Sequence, residues 1–367
     1  MAPGLTRSRP DRFSGLELMM AETFNPRQAV KGILEGIAPP RPLFLPIVFS
    51  LGARIENLPL RNFLSNPTKI SNALRQIRTH LRSDGVTCYF DPLLEAEALG
   101  GALDWDAQGQ RASLRWPQPG ETGDLPDGLR SPDEAAKGGR VPIAVEVIAR
   151  LKPLVRGQSL LMAGVTGPFT LAALLTQAKD TNGSLDRAPD AAALDLAGEV
   201  TAAVARAFVE AGADAIFIRE EVLPLLTAET AAQWATRLAT TINILRFYEA
   251  LPVLLLTCQD ATSANSSLIA GQKWDCVLCA ETHLMPPGKF ASFASLGPSR
   301  LGVAFPPSIF ESDALTSEGV AGPDSAEDLD LHPAVITTAG DVSANADLKR
   351  LNELGCRRLG SNEVDSA

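Results

Sequence analysis

Histidine, positive charge and long apolar runs are scarce in this sequence, and each scarcity excludes a class of function. Only three of the 367 residues are His, so a His-rich metal site is excluded. Asp and Glu outnumber Lys and Arg by 43 to 33, which gives a formal charge of −10. This balance argues against nucleic acid or an anionic membrane as a partner, because both require clustered cations. No apolar stretch approaches the roughly 20 residues that cross a bilayer.

The cysteines are five in number, and we find no signal peptide ahead of them. An odd number of thiols in a long chain predicts reduced cysteines and a cytoplasmic protein. Cys276, Cys279 and His283 have a zinc-like spacing. In a strand, however, residues three apart point to opposite faces, so this spacing favours buried thiols over a metal site.

What the sequence does contain is eight short apolar runs, most of them followed by a helical pattern. Strands that alternate with helices predict parallel pairing, and eight units predict a single α/β domain, a (β/α)8 TIM barrel. We expect an N-terminal helical extension and loop insertions at the rim, with residues 1–26 flexible and residues 27–367 forming the barrel. The runs are Leu43–Pro46, Val86–Phe90, Ser159–Ala163, Ala215–Ile218, Val253–Thr257, Asp275–Cys279, Leu301–Phe305 and Ala334–Thr338.

Helical spacing and composition predict the structure of the segments that connect the strands. The patterns predict helices over four of them: Arg27–Ile37, Asn66–Arg82, Ala191–Ala211 and Thr227–Ala250. Two segments rich in Gly, Pro and Asp predict excursions on the rim that shape access to the site, one over Asp104–Arg140 and one over Ser312–His332.

The residues that follow the runs are mostly acidic. In a parallel barrel the carboxyl ends of all strands meet at one rim, where the chemistry takes place. This predicts a candidate site of carboxylates and one thiol: Asp91, Glu220, Glu221, Cys258, Glu281 and Asp341.

Each candidate also has a structural interpretation. Asp91, Glu220 and Glu221 are candidates for orienting substrate or moving protons. However, Asp91 could instead cap a helix, and one of the two Glu residues could pair with Arg219. Cys258 could be an ordinary buried thiol.

The segment Gly164–Leu171, which reads Gly-Val-Thr-Gly-Pro-Phe-Thr-Leu, resembles a segment of the uroporphyrinogen decarboxylase superfamily. Further matching segments occur in the same order, and together they extend from about Arg27 onward. They are Asp84–Asp91, Ala96–Gly100, Gly212–Ile216 and Gly340–Asp341. The resemblance implies a (β/α)8 barrel with one of two chemistries, porphyrinogen decarboxylation or zinc-dependent methyl transfer involving corrinoids.

The sequence departs from the decarboxylases at the positions that contact their substrate. Of the cations that bind substrate carboxylates, only Arg54 remains, and the positions of the family's Tyr, Ser and His read Leu174, Glu221 and Asp341. Only Asp91 matches the family's active-site Asp. Fewer cations and more carboxylates would repel a substrate that carries eight carboxylates.

The methyltransferase branch implies a zinc site formed by a His-x-Cys pair and a later Cys, positions that here read Leu256, Cys258 and Asp341. A Glu that follows the sixth strand in the distantly similar methionine synthases falls near Glu281. The resemblance thus implies zinc at Cys258, Glu281 and Asp341, with His283 or Glu221 as a fourth ligand. Bound Zn2+ would lower the pKa of a ligand and produce a nucleophile at neutral pH.

The start of the helix in the Gly164–Leu171 segment is a second possible contact for substrate. It lacks the Lys-Ser/Thr ending of a phosphate loop. Backbone amides around Gly167 and Thr170 could instead hold a carboxylate of the substrate.

The sequence therefore predicts a metal-assisted methyltransferase that acts on a small molecule. A corrinoid or methylcobalamin would be the co-substrate, carried by a separate protein because the chain lacks the Asp-x-His-x-x-Gly signature of a cobalamin-binding domain. Two alternatives are a decarboxylase of another carboxylated substrate and a barrel that binds a tetrapyrrole or corrinoid without catalysis. The resemblance also suggests a homodimer.

Overall fold

A computed structural model of the protein describes residues 24–117, 124–155, 157–177, 189–281, 291–310 and 332–358. Eight parallel strands form one sheet in the order β1-β10-β9-β8-β7-β6-β5-β2, and β3 and β4 form a separate antiparallel hairpin. The predicted single (β/α)8 barrel is confirmed, and each of the eight apolar runs overlaps a barrel strand. The strands are β1 (Leu43–Phe44), β2 (Gly85–Tyr89), β3 (Ala102–Trp105), β4 (Ala112–Arg115), β5 (Leu160–Thr166), β6 (Ala215–Glu220), β7 (Leu251–Leu256), β8 (Val277–Glu281), β9 (Leu301–Phe305) and β10 (Val335–Thr338).

The helices surround the barrel strands and cover them from solvent. Long amphipathic helices lie between consecutive strands, as the apolar spacing predicts. They are α1 (Pro26–Leu34), α2 (Leu51–Ile55), α3 (Leu60–Leu64), α4 (Pro67–His80), α5 (Leu94–Ala98), α6 (Pro132–Ala135), α7 (Val141–Val155), α8 (Pro168–Leu175), α9 (Ala191–Ala211), α10 (Ala228–Phe247), α11 (Gln259–Ala270) and α12 (Leu348–Arg358). Within the described parts of the chain, none of them is long and apolar enough to cross a membrane.

The structure describes most of one predicted excursion and almost none of the other. The Asp104–Arg140 region contains the β3–β4 hairpin and α6, as expected for a rim insertion. Nearly all of the Ser312–His332 excursion lies outside the described residues, as do residues 1–23 of the N-terminal segment. The N-terminal helix begins at Pro26, because the Asn25 side chain accepts hydrogen bonds from the amides of Arg27 and Gln28.

The barrel closes where β1 meets β2, and Asp84 makes this junction. Its backbone N–H donates to the Phe44 carbonyl at 2.9 Å, and its carboxylate accepts from the Phe44 N–H at 2.8 Å. Both carboxylate oxygens also accept from the guanidinium of Arg41, at 2.7 and 2.8 Å. Because β1 is only two residues long, this side chain supplies pairing that a longer strand would obtain from its own backbone.

We expect Asp84→Ala to lower the free energy of unfolding by about 3 kcal/mol, because it leaves a buried amide and a cation without their partner. Asp104→Ala is the matched control, since Asp104 pairs with Arg115 in the hairpin and both side chains are more than half exposed. Denaturant unfolding should show a clear loss for the first variant and no measurable loss for the second. Equal midpoints for the wild type and Asp84→Ala would contradict this role of Asp84.

Candidate active site

The predicted site residues lie where strands end, at one rim of the barrel. Glu220 and Glu281 are the last residues of β6 and β8. Asp91 and Cys258 each follow a strand by two residues, and Asp341 follows β10 by three. The rim therefore carries the expected carboxylates and thiol, but their surroundings differ sharply.

Asp91 lies in a buried ion-pair cluster with Arg140 and Glu97. Asp91 Oδ1 accepts from the Leu93 N–H at 2.9 Å, so the side chain does cap the turn after β2. Its other oxygen, Oδ2, forms an ion pair with Arg140 Nη1 at 2.5 Å. Arg140 Nε donates to Glu97 Oε2 at 2.7 Å. The capping role of Asp91 thus uses one oxygen and leaves the other to the guanidinium of Arg140.

Arg140 and Glu97 are functional candidates that sequence reasoning missed. Arg140 directly precedes α7, about fifty residues after Asp91 in the chain, so no local pattern connects them. A lone Arg after two glycines, in the stretch Lys137–Arg140, was the available signal. Glu97 belongs to the Ala96–Gly100 segment that carries the family resemblance, and it is one of two acidic residues on the short helix α5, with Glu95.

Glu220 is fully buried and holds the start of α8 in place. Its oxygens accept from the amides of Phe169 and Thr170 at 3.1 and 2.8 Å, from the Thr170 hydroxyl at 2.7 Å and from Trp234 Nε1 at 3.0 Å. Burial raises the pKa of Glu220 to about 7 against these hydrogen bonds. Because four donors inside the protein bind this carboxylate, its role is structural and it is not presented at the barrel mouth.

Gly167 and Thr170 belong to this same contact between Glu220 and the start of α8. A Cβ added at Gly167 would lie 2.4 Å from Glu220 Cδ, so the glycine makes room for the carboxylate. The helix-start amide of Thr170 already donates to that carboxylate, and the Thr170 hydroxyl accepts from the Glu221 N–H at 2.8 Å. The Gly167 amide donates to the Arg219 carbonyl and the Thr170 amide donates to Glu220, so the amides predicted to hold a substrate anion already have partners within the protein.

Glu221 and Arg54 are the more accessible members of the predicted set. Glu221 Oε1 accepts from Arg219 Nη1 at 2.9 Å, which is the pairing foreseen for one of the two adjacent Glu residues. The buried Arg219 guanidinium also lies 5.3 Å from the centre of the Phe90 ring. Arg54 is exposed on α2, which follows β1.

Glu95 is a second fully buried carboxyl group below the rim. Its oxygens accept from the amide and the hydroxyl of Thr166, at 3.1 and 2.7 Å. Burial raises the pKa of Glu95 to about 7, and the neighbouring charge of Arg219 opposes the rise. The contact joins α5 to the end of β5.

The residues predicted to bind zinc do not form a metal site as they are placed here. Within the described ranges, no group of three His, Cys, Asp or Glu residues could hold a metal ion, and His283 lies outside those ranges. Strand β9 separates the strands that carry Glu281 and Asp341. Since neighbouring strands lie about 4.8 Å apart, these two carboxylates begin roughly 10 Å from each other.

Cys258 and Asp341 have other partners. The Cys258 thiol lies 3.1 Å from the Thr262 hydroxyl, and burial raises its pKa to about 12, so the thiol stays protonated at neutral pH. The Asp341 carboxylate accepts from the Phe49 and Ser50 amides, both at 2.8 Å, and thereby holds the chain after β1. Burial raises the pKa of Asp341 to about 6, and the nearby Asp91 adds to the rise. Burial also raises the pKa of Glu281.

We expect Glu220→Gln to lower the free energy of unfolding by about 2 kcal/mol, because every group around this side chain is a donor and the amide nitrogen must face one of them. Glu199→Gln is the control, since Glu199 is exposed on α9. Thermal or denaturant unfolding tests both variants. Equal stability of Glu220→Gln and the wild type would show that the four hydrogen bonds do not hold α8.

We further expect Glu95 to make stability depend on pH. Its pKa is about 7 in the folded protein, against an ordinary value of 4.5, so the folded state binds more protons between these two values. Glu95 should therefore lower the free energy of unfolding by roughly 1 kcal/mol per pH unit as pH rises from about 5 to 7, and Glu220 and Asp341, whose pKa values are also raised, add to this decrease. Glu95→Gln, whose amide can still pair with the Thr166 amide and hydroxyl, should reduce this slope. If Glu95→Gln leaves the slope of stability against pH unchanged, a group other than Glu95 causes the pH dependence.

Comparison with known proteins is consistent with the barrel. A methyltransferase from Methanosarcina mazei shares 18% identity and superposes with a TM-score of 0.67, covering 92% of this chain and 98% of that one. A dihydrodipicolinate synthase from Oceanobacillus iheyensis shares 16% identity over 60% of this chain and 59% of its own, but its TM-score of 0.28 supports no argument. No curated protein sequence matches. At this identity the first likeness shows the fold alone.

The family follows from the sequence itself. The model of the family described as "Uroporphyrinogen decarboxylase (URO-D)" matches residues 26–278, which is more than half of the chain. This stretch includes α1, the strands from β1 to the start of β8, and the Asp91 and Arg140 positions. The chain belongs to the uroporphyrinogen decarboxylase (URO-D) family.

Proposed function

We propose that the protein is an enzyme that transfers a methyl group between a corrinoid and a small molecule, with Asp91 moving the proton of the methyl acceptor. The observation that carries the proposal is the position of Asp91 beyond the end of β2, where its Oδ2 meets the guanidinium of Arg140 and accepts from no backbone amide. Functional groups of (β/α)8 barrels lie at this end of the strands. A carboxylate oxygen held there is a suitable proton acceptor.

The charges of the rim argue against uroporphyrinogen as the substrate. The buried Arg140 lies against Asp91 and Glu97, and the buried Arg219 pairs with Glu221. Neither cation has a charge left to balance several substrate carboxylates. The acidic side chains of Glu281 and Asp341 increase the repulsion, and like charges brought together reduce affinity.

Methyl transfer is compatible with this balance. When bound, a methylcorrinoid carried by a partner protein would supply an electrophilic methyl group. The acceptor must lose a proton as it is methylated, and Asp91 Oδ2 would take that proton. Arg140 would hold the Asp91 carboxylate in place through their ion pair. The methyltransferase from Methanosarcina mazei supports the proposal to the extent that a methyltransferase shares this barrel architecture.

Zinc has no part in these steps. Cys258, Glu281 and Asp341 as placed here do not fit a zinc site, for the reasons given above. The deprotonation of the acceptor is therefore assigned to Asp91 alone.

A decarboxylase acting on a less anionic substrate is the second candidate. It is favoured by one observation, the presence of the buried Arg140 guanidinium beside Asp91 at the rim. Paired guanidinium N–H groups are suited to bind a carboxylate. In that reaction Asp91 would return a proton to the carbon that loses CO2.

We expect the wild type to consume methylcobalamin in the presence of a panel of small thiol and phenol acceptors, as followed by the absorbance of the corrinoid. Asp91→Asn should slow the reaction at least about 100-fold, because the amide cannot accept the proton. Asp133→Asn, an identical change at an exposed position in α6, should leave the rate unchanged.

Other outcomes of this assay would redirect the assignment. A wild-type rate in Asp91→Asn would remove Asp91 from the reaction. CO2 release from carboxylated substrates without methylcobalamin consumption would favour the decarboxylase. Binding of a tetrapyrrole with neither reaction, unaffected by Asp91→Asn, would favour a binding protein.

A further inference from the structure

Large apolar side chains are exposed mainly at the end of the barrel opposite the candidate active site. Among the residues that the structure describes, four of the five lie between the last turn of a helix and the next barrel strand: Ile37, Leu154, Phe247 and Tyr248. Because the strands begin here, this is the amino-terminal end of the sheet. The fifth, Leu225, follows β6 at the rim. The amino-terminal end is therefore a candidate contact surface.

Phe247 and Tyr248 form an aromatic projection at this end of the barrel. Phe247 is 80% exposed, and its ring packs edge-on against the Tyr248 ring with a centroid distance of 5.2 Å. The Tyr248 hydroxyl donates to Glu210 Oε1 at 3.0 Å and so connects the projection to α9. Aromatic side chains presented in this way are typical of the anchors that dominate binding at protein interfaces.

A groove of about 560 Å3 lies beside the aromatic projection, between α9 and the region of α6 and α7. Its lining includes the small or apolar side chains of Val145, Ala203 and Ala207. Glu210 also lines the groove, and the same residue accepts the hydrogen bond from Tyr248. The aromatic projection and the groove are therefore adjacent parts of one surface.

The charges at the edge of the groove allow an acidic protein to approach. Lys137 and Arg206 lie at this edge together with Glu210, and within the described ranges neither cation forms an ion pair. The chain has a formal charge of −10, so two copies repel each other over much of their surface. When two copies bring the same patch together, these cations can meet carboxylates of the other copy.

We propose that this surface binds a second copy of the chain, with Phe247 of each copy inserted into the groove of the other. A contact between identical patches must be self-complementary, and an adjacent projection and groove satisfy this condition under a two-fold axis. The two Phe247 side chains would leave water together, which favours association. The inference does not depend on the proposed function, because it uses no residue of the candidate active site.

Sedimentation velocity over a range of protein concentrations tests the proposal. We expect the wild type to associate at micromolar concentration into a species of twice the 38.9 kDa of the chain. Phe247→Ser should weaken this association at least about tenfold, because it removes the aromatic anchor from both contacts. Leu225→Ser is the matched control, since Leu225 is 79% exposed at the opposite end of the barrel. It should associate as the wild type does.

A mixing experiment tests whether the projection enters the groove. Ala207→Trp fills the groove and should weaken association as much as Phe247→Ser does, whereas Ala232→Trp, the same change at an exposed position of α10, should have no effect. In a mixture of the Ala207→Trp and Phe247→Ser variants, one intact Phe247 faces one intact groove. We therefore expect the mixture to associate more tightly than either variant alone. Circular dichroism melting curves confirm that each variant is folded.

Three results would overturn the proposal. The first is a wild type that stays monomeric at every concentration. The second is a dimer whose stability neither Phe247→Ser nor Ala207→Trp changes, because the two copies would then meet through another surface. The third is a pair of folded variants that are both weakened but do not associate more tightly when mixed, because Phe247 would then not enter the groove.

Discussion

Closure of the barrel between β1 and β2 is the constraint on which the rest of the structure depends. Parallel strands place all their carboxyl ends at one edge of a sheet, and closure of the sheet makes that edge a rim around a common space. Here β1 is two residues long, and Asp84 completes the junction through backbone and side-chain hydrogen bonds. Without this closure, Asp91 after β2 and Asp341 after β10 would not face a common space.

Below the rim, buried carboxylates act as structural connectors. Glu220 joins the end of β6 to the start of α8 and to Trp234 of α10, and Glu95 joins α5 to the end of β5. A fully buried carboxylate is tolerated because donors surround it. The same residue type at the same end of a strand can therefore have opposite roles, depending on the number of donors the fold supplies.

Asp91 differs from these connectors because one of its oxygens meets a cation and no amide or hydroxyl donor. The first oxygen is used by the turn that follows β2, and the second is ion-paired with Arg140. The pairing of buried cations with carboxylates in turn limits what the rim can bind, since Arg140 and Arg219 are largely neutralised by their neighbours. The rim is therefore polar, and its buried cations are already paired with carboxylates.

The barrel could be predicted from the sequence because its signal is local and repeated. Eight apolar runs, each four to five residues long, specify strands by burial, and the amphipathic spacing of α4, α9 and α10 specifies helices. The identity of the rim residues followed from the strand ends alone. Asp91 was recognisable in this way, and the adjacent positions of Glu220 and Glu221 correctly indicated that one of them pairs with Arg219.

The roles of those residues could not be predicted, because they depend on groups that are distant in the sequence. Glu220 meets the amides of Phe169 and Thr170 some fifty residues away, and Asp91 meets Arg140 across the hairpin insertion. The sequence by itself thus determined the fold and the end of the barrel where chemistry is placed, since both depend on local burial patterns. Only the tertiary structure decided which carboxylates are already bound, because hydrogen bonding is settled by which donors the folded chain brings within about 3 Å.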